Sequence, residues 1–62
     1  MIENHESAYI TNSEGDTYLF EVREKHGFVN ISFGDKFVLA VPPEDAFELV
    51  DTLTMVLSEM SN

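Results

Sequence analysis

Two consecutive prolines, Pro42 and Pro43, separate two stretches of the chain whose apolar residues recur at different intervals. Before the prolines, apolar residues alternate with their neighbours as in strands; after them, they recur every three or four residues as in an amphipathic helix. Proline cannot lie within a central strand. It fits the first turn of a helix, because backbone N–H groups there have no acceptor within the helix and proline has no N–H. The chain is therefore predicted to be an α+β protein: a small antiparallel β-meander of three to four strands, followed by one C-terminal amphipathic helix packed on the sheet.

Four strand-like segments precede the prolines, at residues 8–11, 17–24, 28–33 and 37–41. Clusters of turn-forming residues separate them, at 12–16, 25–27 and 34–36. The clusters at 25–27 and 34–36 each have three residues including a glycine, which predicts a hairpin with a bulge. The 62 residues are predicted to form a single domain, 1–62, in which the polar segment 1–7 is a flexible arm.

The size of the chain predicts that it needs a further source of stability. A domain of about 60 residues buries only about 60% of its unfolded surface, and this chain has no cysteine for a disulfide. A second copy of the chain is the simplest remaining source, so we expect a homodimer.

Alternation assigns the apolar strand residues to two faces of the sheet. One face is predicted to form the core, through Phe20, Val22, Val29, Ile31, Phe33, Phe37, Leu39 and Val41. The other face keeps Leu19, Phe28 and Val38, which makes it apolar for a surface exposed to solvent. We therefore expect these three residues to take part in a dimer interface.

The predicted helix has an apolar arc that is too wide for one contact. Its apolar residues, with Thr54, cover roughly 180° of a helical wheel, whereas a helix lying on one sheet needs a stripe slightly wider than about 100°. The excess predicts that the helix has a second surface to cover. Leu53, Leu57 and Met60 are expected to hold the helix in place and to belong to the dimer interface.

Charge is the strongest indication of function. The chain has twelve acidic and three basic residues, for a net charge of −9, and residues 42–62 contain no Lys, Arg or His. Glu44 and Glu48 are a like-charged pair at i,i+4, a spacing at which opposite charges stabilise a helix and like charges destabilise it. Because this helix departs from what stability alone favours, we expect its acidic side to bind a partner.

The expected partner is a basic nucleic-acid-binding protein, whose phosphate-binding surface the acidic residues would occupy. The predicted binding residues are Glu44, Glu48, Asp51, Met55 and Glu59 on the helix, with Glu14, Asp16 and Glu21 from the sheet side. In size and composition the chain resembles small acidic phage proteins that inhibit host or defence proteins by DNA mimicry, although no motif identifies a family. The alternative is a small dimeric adaptor or complex subunit that binds through an apolar helix or sheet surface, its charge serving solubility.

Other classes of function find little support in the sequence. No nucleophile–base pattern, phosphate-binding loop or metal-ligand motif is present, so we expect no enzyme activity, no catalytic residue, no cofactor and no metal. His5 and His26 are expected at the surface, and residues 12–16 are expected to form a turn and not a calcium loop. The aromatic residues lack the basic groove that stacks bases, which argues against direct nucleic-acid binding. Without a signal peptide or a membrane-spanning run, we expect a cytoplasmic protein, in the host cytoplasm if it is viral.

Overall fold

A computed structural model describes residues 4–61 of the chain. They form a four-stranded antiparallel sheet followed by one helix: β1 His5–Thr11, β2 Thr17–Lys25, β3 Phe28–Phe33, β4 Phe37–Val41 and α1 Pro43–Met60. The spatial order of the strands, β1-β2-β3-β4, follows the chain, and each strand pairs with the next. The predicted meander with a C-terminal helix is confirmed.

Strand β1 begins at His5, three residues earlier than its apolar residues predict. Residues 5–7, expected to belong to a flexible arm, pair with residues 21–23 of β2. These polar residues join the sheet through backbone hydrogen bonds, which the spacing of apolar residues in the sequence does not reveal. Asn4, also expected in the arm, accepts a hydrogen bond from the Glu24 backbone N–H at 3.0 Å, and residues 1–3 lie outside the described residues.

The hairpin between β2 and β3 turns more tightly than predicted. Lys25 pairs directly with Phe28, so only His26 and Gly27 form the turn, with φ values of 55° and 80°. Two consecutive positive φ values are typical of a type I′ turn, whose twist matches that of the flanking strands. The predicted bulge is therefore absent from this hairpin.

The register places the alternating apolar residues on one side of the sheet, which we call the inner sheet face. Phe20, Phe33 and Phe37 lie opposite one another on β2, β3 and β4, with ring centroids 5.0 and 6.1 Å apart. The inner sheet face comprises Ala8, Ile10, Tyr18, Phe20, Val22, Val29, Ile31, Phe33, Phe37, Leu39 and Val41, with Glu6 and Glu24. Leu19, Phe28 and Val38 belong to the opposite side, the outer sheet face.

Helix α1 packs against the inner sheet face near its own N-terminus. Ala46 and Val50 line a cleft with Val29 of β3, and Leu49 lines another with residues of β4. The chain enters the helix through Pro42, whose carbonyl accepts hydrogen bonds from the N–H groups of Asp45 and Ala46, both at 3.1 Å. The helix begins at a proline, as predicted, and its first turn contains the acidic residues Glu44 and Asp45.

No side chain between residues 4 and 61 is buried, which corrects the predicted core. Of the eight residues assigned to it, Phe37 is 52% exposed, and the other seven are only half-buried. One helix, about 10 Å across, covers about half of a four-stranded sheet, which is about 19 Å wide. The sequence identified the apolar face correctly, but the chain has too little structure of its own to bury it.

Candidate protein-binding surface

The predicted acidic residues of the helix lie together on one side of α1. We call Glu44, Glu48, Asp51, Met55 and Glu59 the acidic helix face; at 100° per residue they span about 80° of the helix surface. All five side chains are exposed. From Glu44, the three other carboxylates are displaced along the helix axis by roughly 6, 10 and 22 Å, at about 1.5 Å per residue. The helix therefore holds four carboxylates in line on a rigid support.

These four carboxylates form no ion pair with any Lys, Arg or His in the part of the chain that the structure describes. The last turn of α1 contains no basic residue, so nothing on the helix offsets the negative charge near its C-terminus. Like charges on a helix repel one another, and water and ions screen the repulsion only in part. A cationic surface placed against this face would relieve it.

Glu21, predicted to join the binding surface, has a different environment. It lies on the outer sheet face, where its Oε2 is 3.0 Å from His5 Nε2 and 3.1 Å from Arg23 Nη2. The hydrogen bond from His5, and then that from Arg23, hold the pKa of the Glu21 carboxyl below its ordinary value. Because its charge is already paired within the chain, Glu21 has less to offer a partner than the carboxylates of the helix.

Glu14 and Asp16 lie in the loop between β1 and β2. Their backbone N–H groups both donate to Asn12 Oδ1 at 2.9 Å, and their side chains are exposed. This geometry is that of an Asx turn, and it lies within the turn predicted at residues 12–16. The loop lies at the end of the sheet where β4 begins, whereas α1 begins at the opposite end. The loop carboxylates therefore form a second acidic group, apart from the first turn of the helix.

The six residues predicted for a dimer interface fall on two different surfaces. Leu53, Leu57 and Met60 are all more than half exposed on the apolar side of α1. Leu19, Phe28 and Val38 lie on the outer sheet face, where Val38 is 68% exposed and Leu19 is half-buried. A third apolar surface is also exposed in part. It is the inner sheet face, which the sequence had assigned to the core and which the helix covers incompletely.

Residues 4–61 offer neither a cluster of metal ligands nor a membrane-spanning helix. These residues contain no group of three or more His, Cys, Asp or Glu side chains arranged to hold a metal ion. Their single helix is neither long nor apolar enough to cross a membrane.

Comparison with known proteins adds no further constraint. No family model matches the chain, and no curated protein or solved structure matches it either. The acidic helix face and the exposed apolar surfaces are therefore the features from which a function has to be inferred.

Proposed function

We propose that this is a non-enzymatic acidic binding protein, which occupies the basic surface of a nucleic-acid-binding protein and so inhibits or modulates it as a DNA mimic. One observation carries the proposal. The acidic helix face presents four exposed carboxylates in line, and none of them has a cationic partner within residues 4–61.

Spacing and rigidity both favour a target that binds phosphates. The duplex that such a target normally holds carries a negative charge about every 1.7 Å along its axis, and basic side chains are arranged to meet it. Carboxylates roughly 6 to 22 Å apart on a helix can meet several of those side chains at once. Because the helix is already folded, binding does not require the acidic residues to be ordered first.

The net charge of −9 extends this attraction beyond the contact itself. A strongly negative protein is steered towards a positive surface, which raises the rate of encounter at low ionic strength. We place this protein in the cytoplasm with such a target, and in the host cytoplasm if it is viral.

Displacement from DNA tests the proposal directly. Beads carrying duplex DNA are loaded with the DNA-binding proteins of a bacterial lysate at about 50 mM salt, and the purified chain is then added. We expect it to release one or a few proteins, and to release at least about tenfold less of them at about 300 mM salt, because screening weakens the contact. A chain that releases nothing at low salt refutes the proposal.

Two variants with the same net charge make this test specific. Glu48→Lys with Asp51→Lys reverses the charge at the centre of the acidic helix face, and should abolish release. Asp35→Lys with Ser7→Lys and Ser13→Lys makes the same change in net charge on exposed residues outside the inner sheet face, and should release the target almost as well as the unmodified chain. Equal loss of release in both variants would mean that only net charge matters.

A second candidate function is a small dimeric adaptor or complex subunit that binds through an apolar surface. The exposure of Phe28 and Val38 on the outer sheet face favours it, because such side chains gain by contact with another protein. Salt separates the two functions, since binding through an apolar surface should change little between low and high ionic strength. Val38→Glu should then abolish binding, and the double charge reversal on the helix should leave it intact.

A further inference from the structure

The chain exposes far more surface than a compact protein of its size. A folded monomer of 7.0 kDa exposes about 4,000 Å², whereas this chain exposes 5438 Å². Its Cα radius of gyration is 13.3 Å, against about 10.6 Å for a compact domain of 62 residues. The chain therefore leaves an excess of about 1,400 Å² that a compact fold would cover.

Much of the excess exposure is apolar and lies on one side of the molecule. The apolar helix face, opposite the acidic one, consists of Ala46, Phe47, Leu49, Val50, Leu53, Val56, Leu57 and Met60. Beyond the first two turns its side chains are poorly covered, from 51% exposed at Val56 to 75% at Met60. The same side of the molecule carries the inner sheet face, of which the chain's own helix covers only a part.

We infer that a second copy of this chain covers the apolar helix face and the inner sheet face, in a two-fold symmetric dimer. A second copy offers an apolar helix face and an apolar sheet face. These can pack against the two uncovered surfaces of the first copy. If each copy buries the excess of about 1,400 Å², the interface totals about 2,800 Å², within the roughly 2,000–5,000 Å² of obligate homodimers. In such a dimer, the core predicted from the sequence is completed by the partner.

The distribution of charge permits this pairing despite the net charge of −9 on each copy. Most of the acidic helix face points away from the apolar helix face, so the dimer leaves it in solvent; Glu48 borders the inner sheet face, in a cleft with Leu39 and Val41. Among residues 4–61, the inner sheet face carries charge only at Glu6 and Glu24, and Glu24 accepts a hydrogen bond from the Asn4 amide at 2.8 Å. The outer sheet face stays outside this interface. Leu19, Phe28 and Val38, which the sequence predicted to take part in a dimer contact, therefore do not belong to it. The inference does not depend on the proposed function.

Sedimentation velocity at micromolar concentration tests the dimer, with a matched pair of variants. The unmodified chain should sediment at twice its mass of 7.0 kDa. Leu53 and Met55 are 63% and 62% exposed in the single chain, but only Leu53 lies on the apolar helix face. Leu53→Glu should abolish the dimer, whereas Met55→Glu, which adds the same charge on the acidic side, should remain dimeric. A monomeric unmodified chain, a dimeric Leu53→Glu, or dissociation by both variants overturns the inference.

A labelling experiment covers the case in which Leu53→Glu fails to fold. The chain contains no cysteine, so Leu57→Cys and Met55→Cys each create a single thiol with little change in the fold. In a lone chain the two positions are similarly exposed, at 55% and 62%. In the dimer, alkylation of the thiol at position 57 should be at least about tenfold slower than at position 55, because it needs the interface to open. Equal rates overturn the inference.

Discussion

Dilution alone should destabilise this protein. The apolar strand residues are at most half-buried within one chain, so the further apolar burial that a stable fold needs has to come from the dimer contact. Unfolding then converts one folded dimer into two unfolded chains, and the balance between them depends on protein concentration. A folded monomer has no such dependence.

The size of the effect follows from the length of the chain. Unfolding absorbs about 0.7 kcal/mol per residue near 60 °C, which gives about 87 kcal/mol for a dimer of two 62-residue chains. Each tenfold change in concentration shifts the free energy of unfolding by RT ln 10, about 1.5 kcal/mol at this temperature. Dividing this free energy by the unfolding entropy, about 0.26 kcal/mol per kelvin, predicts a change in Tm of about 6 °C for every tenfold dilution.

Circular dichroism measures this shift directly. Thermal unfolding is followed at about 1, 10 and 100 μM, in cells of matched path length, and each sample is cooled and scanned again to establish reversibility. Tm should fall by about 12 °C across the hundredfold range, and Met55→Glu should show the same slope as the unmodified chain. A reversible transition with the same Tm at all three concentrations would refute the reasoning, because it would show that one chain is stable alone.

Four further predictions concern single substitutions. His5→Ala should raise the pKa of Glu21, since the His5 hydrogen bond is the largest cause of its lowering, and carboxyl NMR titration measures the shift. The stability that the lowered pKa contributes is present above the ordinary carboxyl pKa. It is lost as pH falls through the lowered pKa of Glu21. His26→Asn should stabilise the chain by about 0.5 kcal/mol, because asparagine tolerates the positive φ of the turn, and Gly27→Ala should cost about 1 kcal/mol. Asn12→Ala removes the acceptor of two backbone hydrogen bonds and should cost about 1 kcal/mol. Urea unfolding measures these last changes, and an unchanged midpoint would contradict them.

The strands and the helix were predictable because local chemistry determines them. Alternating apolar residues and turn formers gave β3 and β4 their observed bounds, and Pro43 marked the first residue of α1. The start of β1 at His5 was not predictable in this way, because its first three residues are polar and their place in the sheet depends on pairing with β2. Pairing between strands is a property of the backbone, which the side-chain pattern reports only where one face is apolar.

The candidate surfaces were predictable in part. Helical periodicity placed Glu48, Asp51 and Glu59 on one side of α1, where the structure also has them. The pairing of Glu21 with His5 and Arg23 could not be derived, since it depends on the register between two strands. Alternation showed which side of the sheet is apolar, but not what covers it, because the width of a sheet relative to one helix is a property of the assembled fold.

The three strand connections of five, two and three residues have a consequence for how the protein reaches its final state. Neighbouring strands meet after short loop closures, so strand pairing within one chain can begin within microseconds to milliseconds. Covering the inner sheet face, by contrast, requires a collision between two chains, which makes the last step second order. Because one chain is not stable alone, this collision limits formation of the folded state, and the refolding rate should rise in proportion to protein concentration. In a cell, the time each new chain spends with its apolar side uncovered is then set by how many copies are already present.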